Sequence, residues 1–147
     1  MEKLTSMLPT RLRKAVEEQL IKYHIRKCDS LEEKADAYDT IGEYYNAALK
    51  YEQAAKHAHI IKDTQREIRV LIRSSDSLEE YANQMMDEGT LGDIEEQYSH
   101  GVTAFNALRA ASYKVQQVRK LGEEHFVKKE KRLDKRASVI LDALRRF

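Results

Sequence analysis

One proline (Pro9), five glycines and no tryptophan leave this 147-residue chain few places to turn and few bulky rings to bury. A β-sandwich needs a turn signal roughly every ten residues, so that scarcity excludes an all-β fold. One cysteine, Cys28, excludes an internal disulfide and suits a reducing compartment. No apolar run approaches the roughly 18 residues of a membrane-spanning helix. Met1–Pro9 lacks the apolar stretch of a secretory leader. The expected setting is therefore soluble and cytoplasmic. No glycine stands ahead of Lys and Ser or Thr in the order a phosphate-binding loop requires, which removes nucleotide hydrolysis. No Glu-x-x-His pair is present either: Glu96 and His100 are four apart and Glu124 adjoins His125, so a di-metal bundle site is not expected.

What is abundant is charge, at 35% of residues beside 41% hydrophobic, a balance that suits long solvated helices. The net charge of +1 hides a sorted distribution. Residues 1–28 hold seven Lys or Arg against three acids, 29–113 hold eight against seventeen, and 114–147 hold eleven against five. Basic ends flank an acidic middle, a pattern produced either by oppositely charged helices packing together or by a polyanion site.

The apolar spacing predicts an all-α bundle of five or six helices. Pro9 and Thr10 mark a helix start, and Leu12, Val16, Leu20 and Tyr23 form a stripe through a basic first helix ending near Cys28. Ser30 with Glu33 is a capping-box pattern that restarts the chain at Leu31, the alternative being one continuous helix. Gly42 then ends the second helix near Ile41, and a third covers Glu43 to Ile61. Thr64 with Glu67 opens a fourth along Ile68, Leu71, Ser75, Leu78, Ala82 and Met85, as far as Gly89. After a tight Gly89–Asp93 loop, Ile94, Tyr98, Val102, Phe105, Leu108 and Val115 mark a long amphipathic helix. An unbroken helix from Asp93 to Phe147 would reach roughly 80 Å at about 1.5 Å per residue, twice the width of a compact domain. Either the chain folds back near Gly122 or the helix protrudes. Phe126, Leu133, Ala137, Ile140, Leu144 and Phe147 form a coiled-coil-like seam that packs on its own domain or, through Leu133, Ala137, Ile140 and Leu144, on a second copy as a homodimer. The organisation reads as a bundle over 1–89 and a basic helical element over 93–147, two parts that can also form one domain.

The most specific pattern is Gly42, Tyr44, Ala47, Tyr51, Ala54, in which the last four share a helical face with room for a close neighbour. With Ala35 and Tyr38 ahead of it, the hairpin over about 28–61 resembles a tetratricopeptide repeat (TPR) unit. A second copy one period later is absent, since Arg69, Asp76 and Tyr81 stand where small residues belong. A hairpin followed by one further helix is also similar to the MIT domains, whose third-helix pattern Ile72, Ser74, Ser75, Asp76 and Leu78 match in part. That resemblance implies a groove between the second and third MIT-like helices that accepts a partner helix or peptide, at Tyr51, Ala55, Leu71, Ser75, Asp76 and Leu78. The plainer reading of Tyr51, Leu71 and Leu78 is core.

Catalytic groupings are sparse. His57 and His59 are two apart on a helix and diverge, so they do not share a metal, and no metal or cofactor is expected. Cys28 and His24 lie four apart beside Arg26 and Lys27, an arrangement that could favour a thiolate, but no orienting third residue can be assigned. Lys128, Lys129, Lys131, Arg132, Lys135 and Arg136 cover the helix face opposite Leu133, Ala137 and Ile140 and could track a nucleic-acid backbone or an anionic membrane surface. Glu130 and Asp134 interrupt the stripe, and no exposed aromatics interleave it. The sequence thus reads as a non-catalytic interaction module or adaptor binding another protein through a helical groove, with a nucleic-acid-binding accessory protein as the alternative.

Overall fold

A computed structural model describes residues 7–147; residues 1–6, which hold most of the Met1–Pro9 stretch, lie outside that description. Among the described residues there are five α-helices and no strand: α1 Thr10–Thr40, α2 Tyr44–Ile60, α3 Thr64–Gly89, α4 Ile94–Lys120 and α5 Val127–Leu144, with a 3-10 turn at Glu124–Phe126 ahead of α5. None is long and apolar enough to cross a membrane.

α1 is continuous through Ser30, where the capping box predicted a restart. Burial explains the difference: His24, Cys28, Leu31 and Ala35 step by four, three and four residues and are all buried, so one face docks without a break. Ser30 stays exposed in mid-helix. Gly42 ends the helix with φ +80°, and the Glu43 N–H donates back to Tyr38 O at 2.9 Å, the six-to-one bond of a Schellman turn. The same turn ends α2, but its left-handed position holds Lys62 at φ 58°. The residue capping α3 is Asp63 rather than Thr64. Its carboxylate accepts from the Arg66 N–H, while Glu67 turns away to His59 at 3.1 Å.

Each helix runs antiparallel to the one before it. Cys28, Leu31 and Ala35 of α1 meet Ala47, Tyr51, Ala54 and Ala55 of α2, together with Val70 and Leu71 of α3. The core then continues through Leu78 and Ala82 of α3 to Ala104, Leu108, Ala111 and Val115 of α4 and Leu133, Ala137 and Ile140 of α5. Ala48 of α2 belongs to the second group and Val118 of α4 to the first, so the 1–89 and 93–147 parts share one core. Adjacent serines on α3 let its neighbours come close. Ser74 Oγ donates to Ala48 O of α2 at 2.9 Å and Ser75 Oγ to Ala111 O of α4 at 3.0 Å.

The chain folds back at Gly122, φ +101°, and α5 returns along α4. Of the two uses open to the seam, packing on its own domain is the one seen, which leaves Leu133, Ala137 and Ile140 unavailable to a second copy. Leu133, Ala137 and Ile140 are buried in the common core, and Leu144 rests where a Cβ on Gly101 would stand.

Candidate functional site

The groove implied by the MIT-like pattern is closed. Tyr51, Ala55, Leu71, Ser75 and Leu78 are buried, and the backbone of α4 lies over Ser75. Tyr51 donates its hydroxyl to the Asp36 carboxylate. Burial, that bond and nearby Asp39 push its phenol far above the ordinary range. Only Asp76 reaches the surface, where it pairs with Lys129. What remains of the groove is a depression of about 430 Å3 beside Ala55 and Leu71, walled by Lys114 of α4, whose ammonium lies 3.0 Å from Glu52.

The basic stripe on α5 divides in two. Lys129, Arg132 and Arg136 turn toward α3: Arg132 and Arg136 both hold Glu79, Arg136 at 2.8 Å, and Arg136 also reaches Asn83 at 2.6 Å. Burial alone would raise the Glu79 pKa, but its bonds to Arg132 and Arg136, with Lys129 nearby, hold it below the ordinary value. Lys128, Lys131 and Lys135 face solvent. Part of the charge sorting in the sequence is thus basic α5 packed on acidic α3.

Cys28 is fully buried, its Sγ 3.5 Å from Ala54 O. Desolvation pushes its thiol upward despite the Arg66 guanidinium, the reverse of an activated nucleophile. His24 turns to His57, with Nδ1 atoms 2.8 Å apart, while His59 meets Glu67. Burial, then His24 and Lys27, lower the His57 pKa. No group of three His, Cys, Asp or Glu suited to a metal is present among the described residues.

The open apolar feature lies at the opposite end of the bundle. Gln84 donates to Gly42 O at 3.0 Å, marking where the α1–α2 hairpin stops. α3 continues past it, so its final turn is uncovered on that side. Met85 and Met86 there face Val139, Ile140 and Leu144 of α5 and the chain-terminal Phe147 across a cleft of about 380 Å3. Two glycines let the walls approach: a Cβ on buried Gly89 would meet His100 Cβ at 2.9 Å, and one on Gly101 would meet Leu144 Cδ2 at 2.7 Å. Val139 is 61% exposed and Phe147 59%, and Leu91 and Ile94 lie exposed on the adjoining loop and helix start. Methionines in an open apolar wall adapt to varied partners.

The rim is acidic. The chain has no Lys or Arg from Ser74 to Leu108, while Glu80, Asp87, Glu88, Asp93, Glu95 and Glu96 are all exposed there. A second depression, of about 710 Å3, continues the cleft between α3 and α5 past Met86 and Val139 to Glu80, Asp87 and Lys135. The apolar stripes in the sequence include Met85, Ile140, Leu144 and Phe147 but do not reveal the cleft, because Met86, Val139 and Ala143 lie off them. The Lys- and Arg-free stretch was the signal that could have pointed to it.

Among the described residues the fold is an all-α bundle of five helices, with an open apolar cleft where α3 ends. Comparison with protein-family models, characterised proteins and solved structures finds no match for the chain.

Proposed function

We propose that the protein is a non-catalytic interaction module that takes an amphipathic helix of a partner protein in the cleft between the ends of α3 and α5 and the start of α4. The observation that carries this reading is that the cleft exposes Met86, Val139 and Phe147, whereas Ala55 and Leu71 beside the remaining α2–α3 depression are buried under α4 and its walls are largely charged or polar. A soluble chain rarely leaves a continuous apolar cleft to water unless something docks there. The acidic α3–α4 side of the rim favours a partner helix with a basic flank on that side. The resemblance of the α1–α2 hairpin to a TPR unit supports the same class, and a cytoplasmic setting fits the unpaired Cys28.

The reading is tested by fluorescence anisotropy with a short Leu/Lys amphipathic helical peptide and its Leu/Glu counterpart. The Leu/Lys peptide binds and the Leu/Glu peptide does not. Val139→Arg, at an exposed position that should not disturb folding, weakens binding by about tenfold or more, some 1.4 kcal/mol. Equal binding of both peptides, or no effect of Val139→Arg, refutes it.

A further inference from the structure

We propose that one helix taken by the cleft is the protruding N-terminal part of α1 from a second copy of this chain, giving head-to-tail assembly. The inference rests on the cleft being a docking site.

α1 has 31 residues and α2 only 17. The contacts His24–His57 and Cys28–Ala54 fix their antiparallel register, which sets Ile60, the last residue of α2, opposite about Ile21. Thr10 to Leu20 therefore projects beyond α2 by about three turns, roughly 16 Å. Leu12, Val16, Leu20 and Tyr23 run along the projection and its base, with Leu12 56% and Tyr23 49% exposed. Arg11, Lys14 and Lys22 are exposed beside them. Thr10 to Leu20 holds Arg11, Arg13 and Lys14 against Glu17 and Glu18, the basic residues in its first turns, and Lys22, Arg26 and Lys27 follow at its base. The projection matches the α3–α4 side of the cleft: an apolar stripe with Arg11, Arg13 and Lys14 in its first turns, facing an apolar floor edged by Asp87, Glu88 and Asp93.

A chain cannot satisfy its own cleft. The projection leaves the end of the bundle where α3 begins, whereas the cleft lies where α3 ends, about 40 Å away along a helix of this length. The contact must therefore join different surfaces of two copies. Such a heterologous contact leaves one projection and one cleft unfilled at the ends of each assembly, so it grows into open chains unless the rotation closes a ring. A helix of three or four turns buries on the order of 1,000 Å2 in total, at the small end of specific interfaces, so the assembly is weak, concentration-dependent and salt-sensitive.

The test is sedimentation velocity on the full chain at rising concentration, in low and high salt. The weight-average mass is expected to climb past twice the monomer mass at low salt and to fall back in high salt. A projection variant, Arg11→Glu with Lys14→Glu, and a rim variant, Asp87→Lys with Glu88→Lys, each stay monomeric alone. An equimolar mixture of the two assembles again, because each then offers the charge the other needs. All four positions are exposed, and circular dichroism verifies that the variants fold. A mixture that remains monomeric, or an assembly of the unmodified chain that the projection and rim substitutions leave intact, overturns the inference. If the unmodified chain stays monomeric yet binds the Leu/Lys peptide in a Val139-dependent way, self-docking falls and the cleft reading stands; if it does neither, both fall.

Discussion

Glu79 holds α5 to α3, and replacing it with Gln exposes what that contact contributes. Its side chain is only 14% exposed and accepts from both Arg132 and Arg136, with Lys129 close by on Asp76. Truncating one partner of a fully buried ion pair costs roughly 3–5 kcal/mol, whereas exposed pairs contribute about 0–1. Arg132 is 51% exposed and Arg136 35%, so water compensates much of their loss. An intermediate cost of about 2 kcal/mol follows, equivalent to a fall in Tm of about 4–8 °C for a chain of this length. The pH dependence follows from the sign of the shift. Glu79 is held below its ordinary 4.5, so the unfolded chain takes up its proton first as pH falls. Its stabilisation is complete above about 4.5 and is lost as pH drops through the lower folded value. Thermal unfolding followed by circular dichroism should therefore show the Tm gap between wild type and Glu79→Gln at pH 7 and its narrowing toward pH 3. No gap at pH 7, or an undiminished gap at pH 3, refutes the reasoning.

Lys62 sits in the left-handed region that costs a residue with a Cβ about 1–2 kcal/mol, partly offset by the flexibility glycine adds to the unfolded chain. Lys62→Gly is expected to stabilise the protein by about 0.5–1 kcal/mol in urea denaturation, and a destabilised variant would contradict that account. His57 has a lowered pKa beside His24 and Lys27, so the unfolded chain protonates it first as pH falls. Stability at this site is intact above about 6.5 and declines as pH drops from there to the folded value. His57→Asn flattens that part of the pH–stability curve, and an unchanged slope rejects the role of the pair.

Local punctuation made the helix order legible. Gly42, Gly89 and Gly122 each sit at a reversal, because a left-handed turn or a close approach is written into single residues. Where a local signal competed with burial, burial won, as at Ser30, where the stripe from His24 to Ala35 carried the helix through. The Tyr44–Ala54 face and the Leu133–Ile140 seam were legible as faces to be covered, but not what covers them. That depends on α4 crossing α3 and on α5 folding back, contacts between residues far apart in the chain. The cleft was the least legible feature. It exists because α3 outlasts the α1–α2 hairpin by one turn, a mismatch of lengths that no single segment displays.

The central claim, that the bundle docks partners at its acidic open end rather than in the α2–α3 groove, is tested most directly by amide chemical-shift mapping during titration with the Leu/Lys peptide. The account predicts shifts concentrated at Met85, Met86, Val139, Ala143 and Phe147. Shifts concentrated instead at Ala55, Leu71 and Gln117, or none at saturating peptide, would contradict it.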